Sequence, residues 1–88
     1  MFLGWYDPDR KKPARLKLAQ AIERYVEKFG EAPELVLTNP VDAGELRTPT
    51  KADPGEPALP IREAAYIPRW TFYVGRPETA AAPAALAA

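Results

Sequence analysis

The sequence predicts an α+β fold in which one amphipathic helix packs on a small mixed sheet of three or four strands, in two layers. Three observations predict it: apolar residues at helical spacing in one stretch, period-two alternation in another, and two further short apolar runs bounded by turn residues. The predicted order is β-α-β-β-β. With 88 residues the chain holds one domain, expected at residues 1–78, followed by an alanine-rich flexible tail at residues 79–88.

The first strand and the helix have the clearest signals. The strand is predicted at residues 2–6, where a short aromatic run ends at turn residues. The helix is predicted at residues 13–29, because apolar side chains recur there every three or four positions. Pro13 suits the first turn, since proline has no amide hydrogen to leave unpaired, and Gly30 suits the left-handed conformation that ends a helix.

A second strand is predicted at residues 34–38, where three consecutive apolar residues indicate cover on both faces. If this strand pairs in parallel with residues 2–6, the helix between them makes a right-handed βαβ crossover. Asn39 caps helices well and Pro40 fits a first helical position. We therefore expect one helical turn that continues through Leu46.

The rest of the domain is predicted to hold a long loop and two more strands. Residues 47–60 contain four prolines and few apolar side chains, which is typical of a loop. Residues 70–74 alternate in period two, which predicts a half-buried strand. Residues 61–67 are expected to pair with it antiparallel, through a turn at residues 68–69.

Composition excludes most of the usual catalytic chemistries. Cysteine, histidine and serine are absent, which removes the thiolate and serine nucleophiles, the imidazole base and the commonest transition-metal ligand. No glycine-rich phosphate-binding pattern is present. The carboxylates of Asp7, Asp9, Asp42 and Glu45 form only loose pairs, and solvated caps explain them better than catalysis or metal binding. We therefore expect no enzyme activity, no metal and no cofactor.

Location and source have weaker signals. The most apolar stretch, residues 16–22, contains Lys17 and Gln20, and the first residues lack a basic segment followed by a long apolar one. We therefore expect a cytoplasmic protein with no membrane partner. One Met, one Asn, one Gln and 11 prolines fit a thermophilic source. Short segments at residues 5–7, 29–30, 36–40 and 72–75 resemble those of small bacterial proteins, a likeness that implies no activity.

Five cations lie within eight residues at the predicted start of the helix. Residues 1–20 carry five positive and two negative charges, whereas residues 21–50 carry three positive and six negative charges. The helix dipole disfavours this order by about 0.3–1 kcal/mol per exposed charge, so a partner is one explanation for it. The other explanation is a solvated turn neutralised by Asp7 and Asp9. The candidate nucleic-acid-binding residues are Arg10, Lys11, Lys12, Arg15 and Lys17.

Aromatic residues are frequent on the predicted strands. If Trp70 and Phe72 face the helix, Tyr73 faces the other side of the sheet, with Tyr6 beside it. These rings supply the core in one interpretation, and in the other the outward ones bind a protein or stack on unpaired bases. The candidate protein-binding residues are Tyr6, Tyr66, Arg69 and Tyr73, with the loop at residues 47–60 at the rim.

A single helix covers only one face of a sheet, so the other face is expected to remain partly apolar and open. We therefore predict a non-enzymatic protein-interaction module that binds a protein partner, or a second copy of itself, through an aromatic sheet face. The alternative is a nucleic-acid-binding accessory protein that uses the basic segment at residues 10–17.

Overall fold

The computed structural model describes residues 1–51 and 53–77, so the tail predicted at residues 79–88 lies outside the described residues. The elements in chain order are β1 (Phe2–Tyr6), α1 (Ala14–Phe29), β2 (Leu35–Thr38), α2 (Pro40–Arg47), β3 (Ile61–Glu63) and β4 (Thr71–Gly75). Two helices pack on a mixed four-stranded sheet, which confirms the predicted α+β class. The second helix makes the order β-α-β-α-β-β.

Helix α1 begins and ends where its sequence predicts. Pro13 is the extended residue before the first turn, and its carbonyl accepts the first amide hydrogen bonds of the helix. Gly30 has a φ of 76°, and its amide donates to the Val26 carbonyl oxygen at 2.8 Å. This left-handed stop costs glycine little, because it has no Cβ atom. The buried stripe of α1, which includes Leu18 and Ala21, faces the sheet.

The strand order of the sheet is β1-β4-β2-β3. The predicted direct pairing of β1 with β2 is therefore wrong, because β4 lies between them and runs antiparallel to both. The strands β1 and β2 still run parallel to each other, as the helical crossover requires. Strand β4 therefore lies inside the sheet, with Phe72 and Val74 buried on one side and the exposed Tyr73 on the other.

The predicted antiparallel pairing of residues 61–67 with residues 70–74 is also wrong. Strand β3 has only three residues, and it pairs in parallel with β2, with Ile61 opposite Val36. The chain then turns away through a hydrogen bond from the Ile67 amide to the Ala64 carbonyl oxygen. Trp70 has a φ of 61°, so it forms a left-handed turn before β4 and is not a strand residue that faces the helix.

Helix α2 extends the single turn predicted after Asn39 to eight residues. The Asn39 side chain accepts a hydrogen bond from the Val41 amide at 2.8 Å, and Pro40 occupies the first turn. Leu46 is buried in the same cluster as the inward residues of α1, so both helices lie on one face of the sheet.

The core lies between this helical layer and the sheet. It consists of Ala14, Leu18, Ala21, Tyr25, Val36, Leu46, Phe72 and Val74, with Leu59 of the proline-rich loop packed against it. The loop between α2 and β3 has no helix or strand among its described residues. Its described residues also lie on the helical side, so neither they nor the helices cover the other face of the sheet. Neither helix in the described part of the chain is long and apolar enough to cross a membrane.

Candidate functional site

The face of the sheet opposite the helices is the candidate site. Side chains alternate between the two faces along each strand. The buried Val36, Phe72 and Val74 face the helices, and so do the residues aligned with them on the neighbouring strands. The intervening residues belong to the open face. They are Phe2, Gly4 and Tyr6 of β1, Thr71, Tyr73 and Gly75 of β4, Leu35 and Leu37 of β2, and Arg62 of β3.

Two aromatic rings on the open face lie over glycines. A Cβ atom at Gly75 would lie 2.7 Å from the Phe2 ring and 2.3 Å from the Met1 carbonyl oxygen. A Cβ atom at Gly4 would lie 3.0 Å from Cε1 of Tyr73. Ordinary carbon contacts are about 3.5–4.0 Å, so glycine is what allows both rings to lie close to the backbone. Aromatic rings therefore lie close against the backbone on this face.

A groove of about 260 Å³ opens on this face. Its floor comes from the sheet and one wall from the connection between β3 and β4. The wall is held in place by the Asn39 side-chain amide, which donates to the Ile67 carbonyl oxygen at 2.9 Å. The lining residues are Phe2, Leu37, Tyr66, Ile67, Pro68 and Tyr73. All six side chains present mainly carbon to the groove, so it suits an apolar side chain of a partner.

Three of the four predicted protein-binding residues are exposed on this side of the molecule. Tyr66 is 84% exposed and forms part of the groove wall, and Tyr73 is 38% exposed on its floor. Tyr6 is 63% exposed on the same face of the sheet, outside the groove. Exposed tyrosines present a rigid apolar ring and a hydroxyl group together, a combination that is enriched at protein interfaces.

Arg69, the fourth predicted residue, is directed toward helix α2. Its guanidinium group donates to the carboxylates of Asp42, at 3.3 Å, and Glu45, at 3.2 Å. It also lies over the Trp70 ring, 5.0 Å from the ring centroid. These contacts keep Arg69 apart from the tyrosines of the open face.

The interpretation of Asp42 as a solvated cap is wrong, because its side chain is 1% exposed and fully engaged. Besides Arg69, it accepts a hydrogen bond from the Trp70 amide at 2.7 Å. Trp70 is the only non-glycine residue with positive φ among the described residues. Such a conformation costs about 1–3 kcal/mol and persists where surrounding contacts enforce it. Asp42 is therefore the residue that fixes the turn into β4, a role without a signal in the sequence.

The predicted basic segment does not form one surface. The Lys12 ammonium donates to the Asp7 carboxylate at 2.8 Å and to the Gln20 side chain at 3.0 Å. The hydrogen bond from Lys12 holds the pKa of Asp7 below its ordinary value. Lys17 is only 3% exposed. Both cations therefore belong to the structure of the helix start.

Arg15 is the most deeply engaged cation of the segment. Its Nε donates to the Leu46 carbonyl oxygen at 2.9 Å, and its Nη1 donates to the carbonyl oxygens of Asp53, at 2.9 Å, and Gly55, at 2.5 Å. Its other terminal nitrogen, Nη2, is buried without a partner in the described part of the chain. Arg15 therefore ties the proline-rich loop to α1 and α2, and its guanidinium group is not available to a phosphate.

Arg10 and Lys11 remain at the surface. The Arg10 guanidinium group lies 5.5 Å from the centroid of the Trp70 ring, on which Arg69 also lies. Lys11 is exposed, and its amide donates to the Asp9 carboxylate at 2.9 Å. Two neighbouring cations are a small electrostatic footprint for nucleic acid, which contacts many phosphates at once.

Residues 1–51 and 53–77 contain no cluster of three aspartate or glutamate side chains that could hold a metal ion. The search of family models, of curated proteins and of solved structures finds no match to this chain.

Proposed function

We propose that this chain is a non-enzymatic protein-interaction module that binds a polypeptide through the open face of its sheet. The observation that carries the proposal is the apolar groove beside exposed tyrosines, on the face that both helices and the proline-rich loop leave bare. Apolar patches that combine rings and a concave floor are typical of docking surfaces. We place the encounter in the cytoplasm, since a chain without cysteine has no disulfide to gain from an oxidising compartment.

The nucleic-acid alternative has less support. Lys12 and Arg15 are engaged in hydrogen bonds within the fold, and Lys17 is only 3% exposed, so these three residues offer little accessible positive charge to a phosphate backbone. The formal net charge of the whole chain is zero, whereas nucleic-acid-binding domains are usually basic.

The test is a selection of displayed random peptides on the immobilised protein, followed by affinity measurements with the selected peptides. Tyr66→Ser removes the most exposed ring of the groove. Val41→Ser is the control, because it removes an exposed apolar side chain (52% exposed) on the helical side. We expect Tyr66→Ser to weaken binding by about tenfold or more, as loss of an interface tyrosine does, and Val41→Ser to leave it unchanged.

Equal binding to wild type and Tyr66→Ser would contradict the proposal, as would a selection that enriches no peptide. The alternative is tested in parallel with a labelled single-stranded oligonucleotide at low salt. Binding that weakens steeply with salt and disappears in the Arg10→Ala, Lys11→Ala double variant would favour the nucleic-acid function instead.

A further inference from the structure

We propose that a second copy of this chain pairs with the outer edge of β1, so that two sheets join antiparallel into one sheet of eight strands. The inference goes beyond the proposed function, because it concerns the edge of the sheet, whereas the proposed function concerns its open face. It follows from three observations: the unpaired edge of β1, the contrast with the other edge of the sheet, and the symmetry of the β1 sequence.

The edge of β1 offers free hydrogen-bonding groups. The Asp7 amide donates to the Trp70 carbonyl oxygen at 3.0 Å, and the Met1 carbonyl oxygen accepts from the Arg76 amide at 3.2 Å. The backbone amides and carbonyls of the odd-numbered residues of β1 therefore point toward β4. In an antiparallel ladder the alternate residues point their amides and carbonyls the other way. The outward groups of β1 therefore belong to Phe2, Gly4 and Tyr6. None of them has a backbone partner within the described ranges.

The two edges of the sheet differ in their protection. At the other edge, β3 is only three residues long, follows Pro60 and carries the charged side chains of Arg62 and Glu63. Short length, proline and charge are the features with which proteins protect an edge against pairing with another chain. Strand β1 has five residues in unbroken register, with no proline and no charge. It is the edge of this sheet that is left open to pairing.

The β1 sequence is complementary to itself about Gly4. Antiparallel pairing around a two-fold axis at this residue places Phe2 opposite the partner's Tyr6 and Gly4 opposite the partner's Gly4. These are the outward-pointing residues, so each pair exchanges two backbone hydrogen bonds. Phe2 and Tyr6 lie on the open face, where facing aromatic side chains on adjacent strands stabilise a sheet.

Glycine at the centre of this pairing avoids a steric clash. The Tyr73 ring already lies 3.0 Å from where a Gly4 Cβ would be, so a larger residue there would crowd the position next to the symmetry axis. With two glycines opposite each other, the Tyr73 ring of each copy borders the junction. The dimer would thus join two aromatic faces into one continuous surface.

The expected dimer is weak. Five residues per copy form a small interface, below the area of roughly 1,200 Å² that stable specific complexes bury, so we expect dissociation in the micromolar range or above. A second copy is favoured over an unrelated extended peptide, because the β1 sequence is complementary to itself in antiparallel pairing. Isologous contacts of this kind close on themselves and do not propagate.

The test measures amide hydrogen exchange by NMR at two protein concentrations about twentyfold apart, with sedimentation to follow the dimer. We expect the amides of Phe2, Gly4 and Tyr6 to exchange several-fold more slowly at the higher concentration. Tyr6→Pro removes an outward amide that has no partner in the monomer, so it should fold and remain monomeric. Tyr6→Thr is the matched control, because it loses the ring but keeps the amide, and it should still dimerise.

Each other outcome overturns the edge dimer. A dimer in which these amides exchange at unchanged rates would pair through the aromatic face instead, which leaves the proposed function standing. Equal dimerisation of Tyr6→Pro and wild type would have the same meaning. A protein that stays monomeric throughout, or whose three amides are protected only by a selected peptide, has no second copy at this edge. The proposed function then depends on the Tyr66→Ser comparison alone.

Discussion

Replacement of Gly75 by alanine tests the close approach on which the aromatic face depends. The new Cβ would lie 2.3 Å from the Met1 carbonyl oxygen and 2.7 Å from the Phe2 ring. The ring can rotate, but the carbonyl belongs to the backbone, so the start of β1 must move by about 1 Å to reach an ordinary contact distance. That movement would strain the hydrogen bond from the Arg76 amide to Met1.

The expected cost follows from these contacts. Overpacking costs about 1–3 kcal/mol, and weakening one backbone hydrogen bond adds about 0.5–1.5 kcal/mol. The reduced entropy of the unfolded chain returns about 0.4–1 kcal/mol. We therefore expect Gly75→Ala to lower the free energy of unfolding by about 0.5–4 kcal/mol, measured by urea denaturation with tryptophan fluorescence.

Gly44 provides a control with the opposite sign. It lies inside α2, and a Cβ atom there would meet nothing within 4 Å. Alanine is the better helix former, so Gly44→Ala should raise the free energy of unfolding by about 0.5–1 kcal/mol. The reasoning is refuted if Gly75→Ala is as stable as wild type, or if Gly44→Ala is the more damaging of the two.

Three further changes have expected outcomes. Asp42→Asn should lower the free energy of unfolding, measured in urea, by about 1.5–3 kcal/mol, because a buried charged acceptor is lost. Glu45→Gln should lower it by less than about 1 kcal/mol, because the Glu45 ion pair is exposed. Equal losses in the two variants would contradict this prediction. The lowered pKa of Asp7 means that its carboxylate stabilises the fold fully above the ordinary pKa of 3.8, and that this stabilisation is lost as the pH falls through the lowered pKa. In urea titrations, the stability of Asp7→Asn should therefore be less sensitive to acid than that of wild type. Equal sensitivity of the two proteins would contradict this prediction. Burial raises the pKa of the Tyr25 hydroxyl above its ordinary value of 10.0, so the stability that this group contributes is complete below pH 10.0 and is lost as the pH rises through the raised pKa. In alkali, Tyr25→Phe should therefore lose less stability than wild type. An equal loss in both proteins would contradict this prediction.

The local elements could be predicted from the sequence because their signals are local. The apolar spacing of α1, its stop at Gly30 and the cap at Asn39 each depend on a few neighbouring residues. The pairing of strands could not, because the alternation in β4 shows that it is a strand without showing which strands lie beside it. The left-handed turn at Trp70 depends on Asp42, which lies 28 positions earlier in the chain.

The candidate site was partly predictable for the same reason. Alternation along β1 and β4 places Tyr6 and Tyr73 on one face whatever the strand order. Arg69 could not be assigned in this way, because its direction depends on the turn beside Trp70 and on carboxylates of α2. The hydrogen bonds of Arg15 to α2 and the proline-rich loop could not be predicted from the sequence either, because the acceptors are backbone carbonyls 31 to 40 positions away.

The most direct test of the binding face uses the four tyrosines of the chain. Photo-CIDNP polarises only tyrosine rings that a dissolved dye can reach. In the free protein we expect polarised signals from Tyr6, Tyr66 and Tyr73 and none from the buried Tyr25. Addition of a selected peptide should suppress the Tyr66 and Tyr73 signals together. If the peptide binds and both signals persist unchanged, the open face of the sheet is not the binding surface.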